Sequence, residues 1–476
     1  QRSRGELSMG SYVGLAKGSK NGSVIMAGNA AGSRIMEVLA SGDMPRGGEK
    51  VSTEELALLS AWIDGGAKFD GPDPAAPLKS FASGPTKKDE TAKKLEVVPA
   101  TGKEAVQFVR DIAPILLAHC EECHGENNPR NAMSFYTFNR LLRGGTSGLA
   151  LAPGAPEESL LVKKLRGEAG ARMPLDRPPL AAEELAKIEK WITLDAHFEG
   201  PAADMPLDEL VALDSAQRAT HEELSRSRAA LAAKNWRLML PDRPPSHEET
   251  AQVLVYGHAA AEVLSEIARS ADEQAAKIAK LFKLPADRPL IKGRLTLFVF
   301  DKRYDYGEVG AMLEHREIPA TLRGHWRFTG VDAYGCLLVS DDRVAPGLVA
   351  QVMTGAHLAS LRKVPRWFAE GSARAVASKF YPKDPRVKLW DDQVGHILAA
   401  QEKPTGFLTG DVPAEDADIL SFSLAKYLMT QGGRYTSLIA AIEQGAAFDE
   451  GFLKSFGASP DQMVAHWAER VAKRGR

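Results

Sequence analysis

The chain has 476 residues, too many for one ordinary domain, so about two to four are expected. With 44% hydrophobic and 26% charged residues and a formal net charge of −2, its composition is globular and lacks the basic excess of a nucleic-acid binder. No run approaches the roughly eighteen apolar residues of a membrane span, and the opening QRSRGELSMG has no apolar stretch of a secretion signal.

From the N-terminus, the first organising feature is an internal repeat. SGDMPRGGEKVSTEELALLSAWIDGGAKFDGP, ending at Pro72, recurs as GARMPLDRPPLAAEELAKIEKWITLDAHFEGP, ending at Pro201. Met44, Trp62 and Phe69 match Met173, Trp191 and Phe198 at an offset of 129. Gly22, Gly28 and Ser33 match Gly148, Gly154 and Ser159 at an offset of 126, so the later copy carries three extra residues around GEAGAR. Each copy reads as a Gly-rich loop, a short helix, a Met-Pro loop and a last amphipathic helix. In the later copy that helix places Leu185, Ile188 and Ile192 on one face, with Trp191 beside them. The stretch PDPAAPLKSFASGPTKKDETAKKLEVVPATGKE between the copies is rich in Pro, Ala, Ser and Lys and reads as a linker.

PILLAHCEECHGENNP follows, with Cys120, Cys123 and His124 in the CxxCH spacing of c-type haem attachment. Two thiols three positions apart suit thioether bonds to one edge of a porphyrin, and the next imidazole suits the proximal position under the iron. Two of the three cysteines fall in this motif. A structural zinc site would need two further ligands nearby, and a thioredoxin-like pair would need no histidine after it. Met173, some fifty residues on in its Met-Pro turn, is the natural distal ligand, with Met133 and His197 as rivals. Carried back by 126 residues, the motif falls just before residue 1. The first copy is then either a clipped haem domain or a haem-less relic, and its retained Met44 favours the clipped domain. Covalent haem attachment implies export to the periplasm, the cell surface or the exterior.

Val106 to about Pro201 resembles the cytochrome c-like domain common in planctomycete-type bacterial proteins. The resemblance rests on FVRDIAPILLAHCEECHG, GGTSGLALAPGAPEESLLVKKL, RMP and AEELAKIEKWI. It implies one haem c with His124 and Met173 as axial iron ligands and a redox role. Residues 1–72 resemble the same domain without its beginning.

From about Leu207 the texture changes. LDSAQRATHEELSRSRAALAAKNW reads as one connecting helix. QVLVYG, RLTLFVFD and YGCLLVS read as strands, HAAAEVLSEIARSADEQAAKIAKLF as a long helix, and everything after Pro346 as mainly helical. Cys336, within YGCLLVS, reads as a buried core thiol. VPRWFAEGSARAVASKF, ILSFSLAKYLMTQGGRYTSLIAAIEQG and FGASPDQMVAHWAERV resemble segments of the gluzincin-type (peptidase MA-like) zinc metallopeptidases. That resemblance assigns Glu370 to the family's glutamate ligand. The HExxH helix that should hold the zinc is degenerate. In GLVAQVMTGAHLASL the best register puts Gln351, Val352 and Gly355 at the His, Glu and His positions. A shifted register keeps only His357, with Met353 and Thr354 in the other places. HEELS at His221 and HEETA at His247 lack a histidine four residues on. Without base and first ligands no zinc is expected and hydrolytic chemistry is lost, which makes the domain a pseudopeptidase.

The expected architecture is therefore multidomain: all-α cytochrome c-like domains followed by an α+β gluzincin-peptidase-like domain. Its parts are a truncated repeat (1–72), a linker (73–105), a haem c domain (106–201), a connecting helix (202–234) and an inactive peptidase-like domain (235–476). The expected role is electron transfer with redox partner proteins, the last domain serving for docking. The alternatives are a peroxidase-like haem enzyme and a structural or surface-assembly protein, in which a homo-oligomer would fit.

Overall fold

The computed structural model describes residues 8–20, 22–41, 44, 51, 53–69, 74, 78, 95–127, 129–285, 288–339, 343–361 and 364–474. The chain divides into two compact units, residues 1–94 and 95–476. Pro45 and Pro72 of the first repeat, and all of the expected linker from 75 to 94 except residue 78, lie outside the described residues.

In the first unit, α1 (Tyr12–Lys17), α2 (Arg34–Ala40) and α3 (Thr53–Asp64) surround a small core of Leu15, Val24, Ala30, Ile35 and Ile63. The second unit opens with a π-helical turn, Phe108–Ile112, that runs into α4 (Ala113–His119). Then come α5 (Glu121–His124), α6 (Phe138–Arg143), α7 (Leu160–Arg166) and α8 (Ala182–Thr193). The aromatic rings of Phe108, Phe138, Trp191 and Phe198 interleave at the centre of this helical part. The Glu199 carboxylate closes it by accepting from the free Phe108 and Val109 amides at the helix start, at 3.0 and 2.5 Å.

The two sequence copies share local structure bond for bond. Gly18, Gly22 and Gly28 have φ of 77°, 105° and 80°, and Gly144, Gly148 and Gly154 have 75°, 99° and 78°. A Cβ on Gly18 would sit 2.6 Å from the Gly22 carbonyl oxygen, and one on Gly144 would sit 2.3 Å from that of Gly148, so both turns require glycine. Ser33 and Ser159 hydroxyls each accept from the amide seven residues earlier at 2.8 Å. The Trp62 indole donates to Lys68 O at 2.8 Å, and that of Trp191 to His197 O at 2.9 Å. Both methionines are pinned alike: Met44 N donates to Val38 O at 3.1 Å, and Met173 N to Lys164 O at 2.9 Å.

The expected single connecting helix is two, α9 (Leu207–Arg218) and α10 (His221–Met239). Thr220 breaks it. Its hydroxyl accepts from Glu223 N at 3.2 Å while the Glu223 carboxylate accepts from Thr220 N at 2.8 Å, a capping box within ATHEEL. Leu207 and Leu210 of α9 pack into the aromatic core of the first helical part, whereas Ala232, Trp236 and Met239 of α10 pack on the sheet that follows.

That sheet holds β1 (Ser246–Glu249), β2 (Val253–Gly257), β3 (Leu295–Phe300), β4 (Gly324–Phe328) and β5 (Ala333–Leu338), in the order β1-β2-β3-β5-β4. The three central strands are parallel and the two edges antiparallel. Side chains alternate between faces. Val253, Val255, Leu295, Leu297 and Val299 face α11 (Ala261–Phe282) and the helices beyond, while Leu254, Phe298, Phe300 and Cys336 face α10. Cys336 is fully buried, as expected. α12 (Arg303–Val309) crosses from β3 toward β4. The C-terminal part is helical: α13 (Pro346–Ser360), α14 (Arg366–Phe380), α15 (Pro385–Ala399), α16 (Gly406–Thr409), α17 (Ala414–Met429), α18 (Gly433–Glu443), α19 (Phe448–Phe456) and α20 (Pro460–Arg474). No helix among the described residues is long and apolar enough to cross a membrane.

Candidate functional site

Cys120 ends α4, and Cys123 and His124 lie on the single turn of α5, so the CxxCH motif is one compact corner. Met173 enters from the loop after α7. All four line one cleft. Its apolar walls come from Phe135, Ala150, Leu160, Leu161 and Leu165. Arg177 and Glu122 pair at its rim, and Arg130 and Lys164 add positive charge.

His124 Nδ1 lies 2.9 Å from Met133 O. A carbonyl can only accept, so Nδ1 carries a proton, the tautomer that in a neutral imidazole leaves the lone pair on Nε2. Phe135 holds the same corner, with its amide 2.7 Å from His124 O and its ring edge-on to the imidazole. Burial, with the neighbouring Cys123 second, pushes the Cys120 thiol up to about 12, so it is a neutral thiol in this pocket. Two thiols, an imidazole with Nε2 available, a thioether and an apolar wall are the donor set and surroundings that suit haem c.

The rival ligands are placed differently from each other. Met133 also lines the cleft, but its backbone sits behind the imidazole, at Nδ1. His197 is buried, with Nδ1 on Leu194 O at 3.1 Å, and is absent from the cleft lining. Met44 in the first unit is 46% exposed. The role of the Met133 carbonyl has no sequence signal, because every residue type offers one.

A second, larger cleft lies in the C-terminal part. Gln351 and Glu370 meet on its floor, the Gln351 amide donating to Glu370 Oε1 at 3.2 Å. Val352 instead packs into the core against Gly335 of β5. Met353 and Thr354 are likewise buried. His357 is buried away from the cleft. Its Nδ1 donates to Leu290 O at 2.8 Å, its Nε2 is 3.6 Å from Glu443, and burial lowers its pKa. His221 Nδ1 accepts from Gly293 N at 3.1 Å, and His247 stacks on Tyr256. Among the described residues, no three His, Cys, Asp or Glu side chains group as a metal site.

Residues 120–176 match the family model described as Planctomycete cytochrome C. The match spans Cys120, Cys123, His124 and Met173, and it supports one cytochrome c-like domain in this part of the chain, with haem c as the cofactor that such domains imply. No curated protein compared with the chain matches it.

Proposed function

We propose that the chain is an exported c-type cytochrome that passes electrons between redox partner proteins through one haem c in residues 106–201. The observation that carries this reading is the convergence of Cys120, Cys123, His124 and Met173 on one apolar-walled cleft, with His124 Nδ1 committed to Met133 O. Cys120 and Cys123 would anchor the haem covalently, and His124 Nε2 and Met173 would hold its iron. The bound haem supplies a one-electron iron couple whose potential a methionine ligand raises. The chain's own contribution is to fix the imidazole through Met133 O, to hold the Met173 backbone on Lys164 O, and to keep water from the apolar wall.

In the same reading residues 1–72 are a truncated cytochrome-like unit, supported by the matched turns and by Met44 and Met173 hanging from equivalent carbonyls. Residues 235–476 are a peptidase-like module without zinc or hydrolytic chemistry, kept for docking. Gln351 beside Glu370 supports that register, and His357, held at Leu290, counts against the shifted one. The deciding experiment is an optical spectrum of the purified protein, oxidised and dithionite-reduced, with pyridine haemochrome per chain. A sharp reduced c-type α-band and a methionine–iron charge-transfer band in the oxidised state are expected. A high-spin spectrum that shifts with cyanide would move a peroxidase-like role ahead, and no covalent haem would overturn the reading.

A further inference from the structure

We infer that in the C-terminal cleft the indole of Trp326 and the guanidinium of Arg374 occupy the place, and Arg374 supplies the charge, that a metal ion would have there. The inference rests on the peptidase-like reading above, which makes residues 351, 355 and 370 the metal-facing positions. These positions do converge, since the Gln351 amide touches the Glu370 carboxylate. What stands between them is protein. A Cβ built on Gly355 would lie 2.0 Å from Trp326 Nε1 and 2.4 Å from its Cδ1, so the indole fills the space into which any side chain at 355 would project.

That indole donates to Glu370 Oε2 at 2.9 Å. Arg374, one turn along α14, donates through Nε to Glu370 Oε1 at 2.9 Å and through Nη2 to Asp418 Oδ2 at 3.1 Å. With Gln351, three donors take up most of the roughly four lone-pair sites of one carboxylate. Gln351 is itself oriented by Arg386, whose Nη1 donates to Gln351 Oε1 at 2.9 Å, so the amide turns its NH₂, not its oxygen, to the centre.

The charges also close without a metal. Glu370 and Asp418 face Arg374 and Arg366, two carboxylates against two guanidiniums. A divalent cation entering this floor would find one carboxylate already shared and two positive charges too many.

The test uses the full chain with haem bound. Metal content and zinc calorimetry are compared for wild type, Gln351→His/Gly355→His, and the same pair with Trp326→Ala/Arg374→Ala. Zinc bound one per chain by the fourfold variant, about 100-fold tighter than by the double variant, is expected, the upper scale of second-shell effects on metal affinity. Equal binding by the double and fourfold variants would overturn the inference and leave the peptidase-like reading standing. Binding by neither, with both folded by circular dichroism, would overturn that reading and the inference with it. Since buried histidines can prevent folding, urea unfolding of Gly355→Ala is measured alongside, in wild-type and Trp326→Ala backgrounds. The alanine should lower the midpoint in the first and not in the second. An equal loss in both would mean that Trp326 does not fill the site.

Discussion

His124 Nδ1 donates to the carbonyl oxygen of Met133 at 2.9 Å, so the methionine nearest in sequence to the haem motif serves that histidine through its backbone. Its side chain is then free to be anything apolar of similar size. Met133→Leu should leave the oxidised and reduced spectra unchanged, because the carbonyl remains. Met173→Ala should abolish the methionine–iron band and lower the reduction potential by on the order of 0.1 V, a fraction of the ~0.8 V that axial ligands span. Protein-film voltammetry of both variants separates the two. Loss of the band in Met133→Leu with its retention in Met173→Ala would reverse the assignment.

Cys123→Ala should lower haem retention and destabilise the helical part around it. Phe108, Phe138, Leu141, Trp191 and Ile192 form a core separate from the one built on the sheet and α13 to α20. Calorimetry should therefore show one transition moved down and the other unmoved. Equal shifts of both would contradict independent cores.

The matched serines give a paired prediction. Ser33 and Ser159 are each almost fully buried and each satisfy an amide, Met26 N or Ala152 N. Ser→Ala at either position leaves that amide unpaired, at a cost of about 1–3 kcal/mol. Urea unfolding of the two variants should show similar losses, each confined to its own unit. A neutral Ser33→Ala beside a costly Ser159→Ala would mean that the first unit does not hold the repeat's loop.

Much of this was open to reading from the sequence because it is local. CxxCH fixes its geometry within five residues, and the three central strands are continuous apolar runs because both their faces are covered. The two edge strands escaped for the opposite reason. SHEE has no apolar residue and GHWRF only two in alternation, Trp326 and Phe328, too short a pattern to mark a strand. The split at Thr220 was present as T-x-x-E but lay inside an otherwise helical pattern. Of the floor of the C-terminal cleft, the sequence offered the Gln351 and Glu370 positions but none of their partners. Trp326 and Gln351 reach Glu370, Asp418 reaches its partner Arg374, and Arg386 reaches Gln351, all from separate elements, and only the packing of β4, α13, α14, α15 and α17 brings them together.

The same floor makes a stability prediction. Arg374 is 9% exposed and bonds both Glu370 and Asp418. Arg374→Ala leaves the buried Glu370 without its cation and Asp418 with Arg366 alone, and should cost about 3–5 kcal/mol, the usual penalty for removing one partner of a buried pair. Glu370→Gln, which keeps an acceptor for Trp326, should cost less. The urea midpoint of the C-terminal transition reads both, and equal losses would mean that charge is not what Arg374 supplies.

Glu314 sets the acid limit of the C-terminal part. Its Oε1 accepts from His325 Nε2 at 2.9 Å and from the Tyr334 hydroxyl at 2.8 Å, and its Oε2 from Arg316 Nε at 2.6 Å. Burial works to raise its pKa, but the His325 bond, then the Tyr334 hydroxyl and Arg316, outweigh it and hold the carboxyl near about 2, against 4.5 unfolded. A carboxyl with a lowered folded pKa binds fewer protons folded than unfolded. Its stabilisation is therefore complete above about pH 5 and disappears as pH falls toward 2. A shift of this size corresponds to about 3 kcal/mol. Glu314→Gln removes the titration, so its urea stability should fall less than that of wild type between about pH 5 and pH 2. Parallel curves for the two proteins would show that Glu314 is not the group whose protonation loosens the β4–β5 edge.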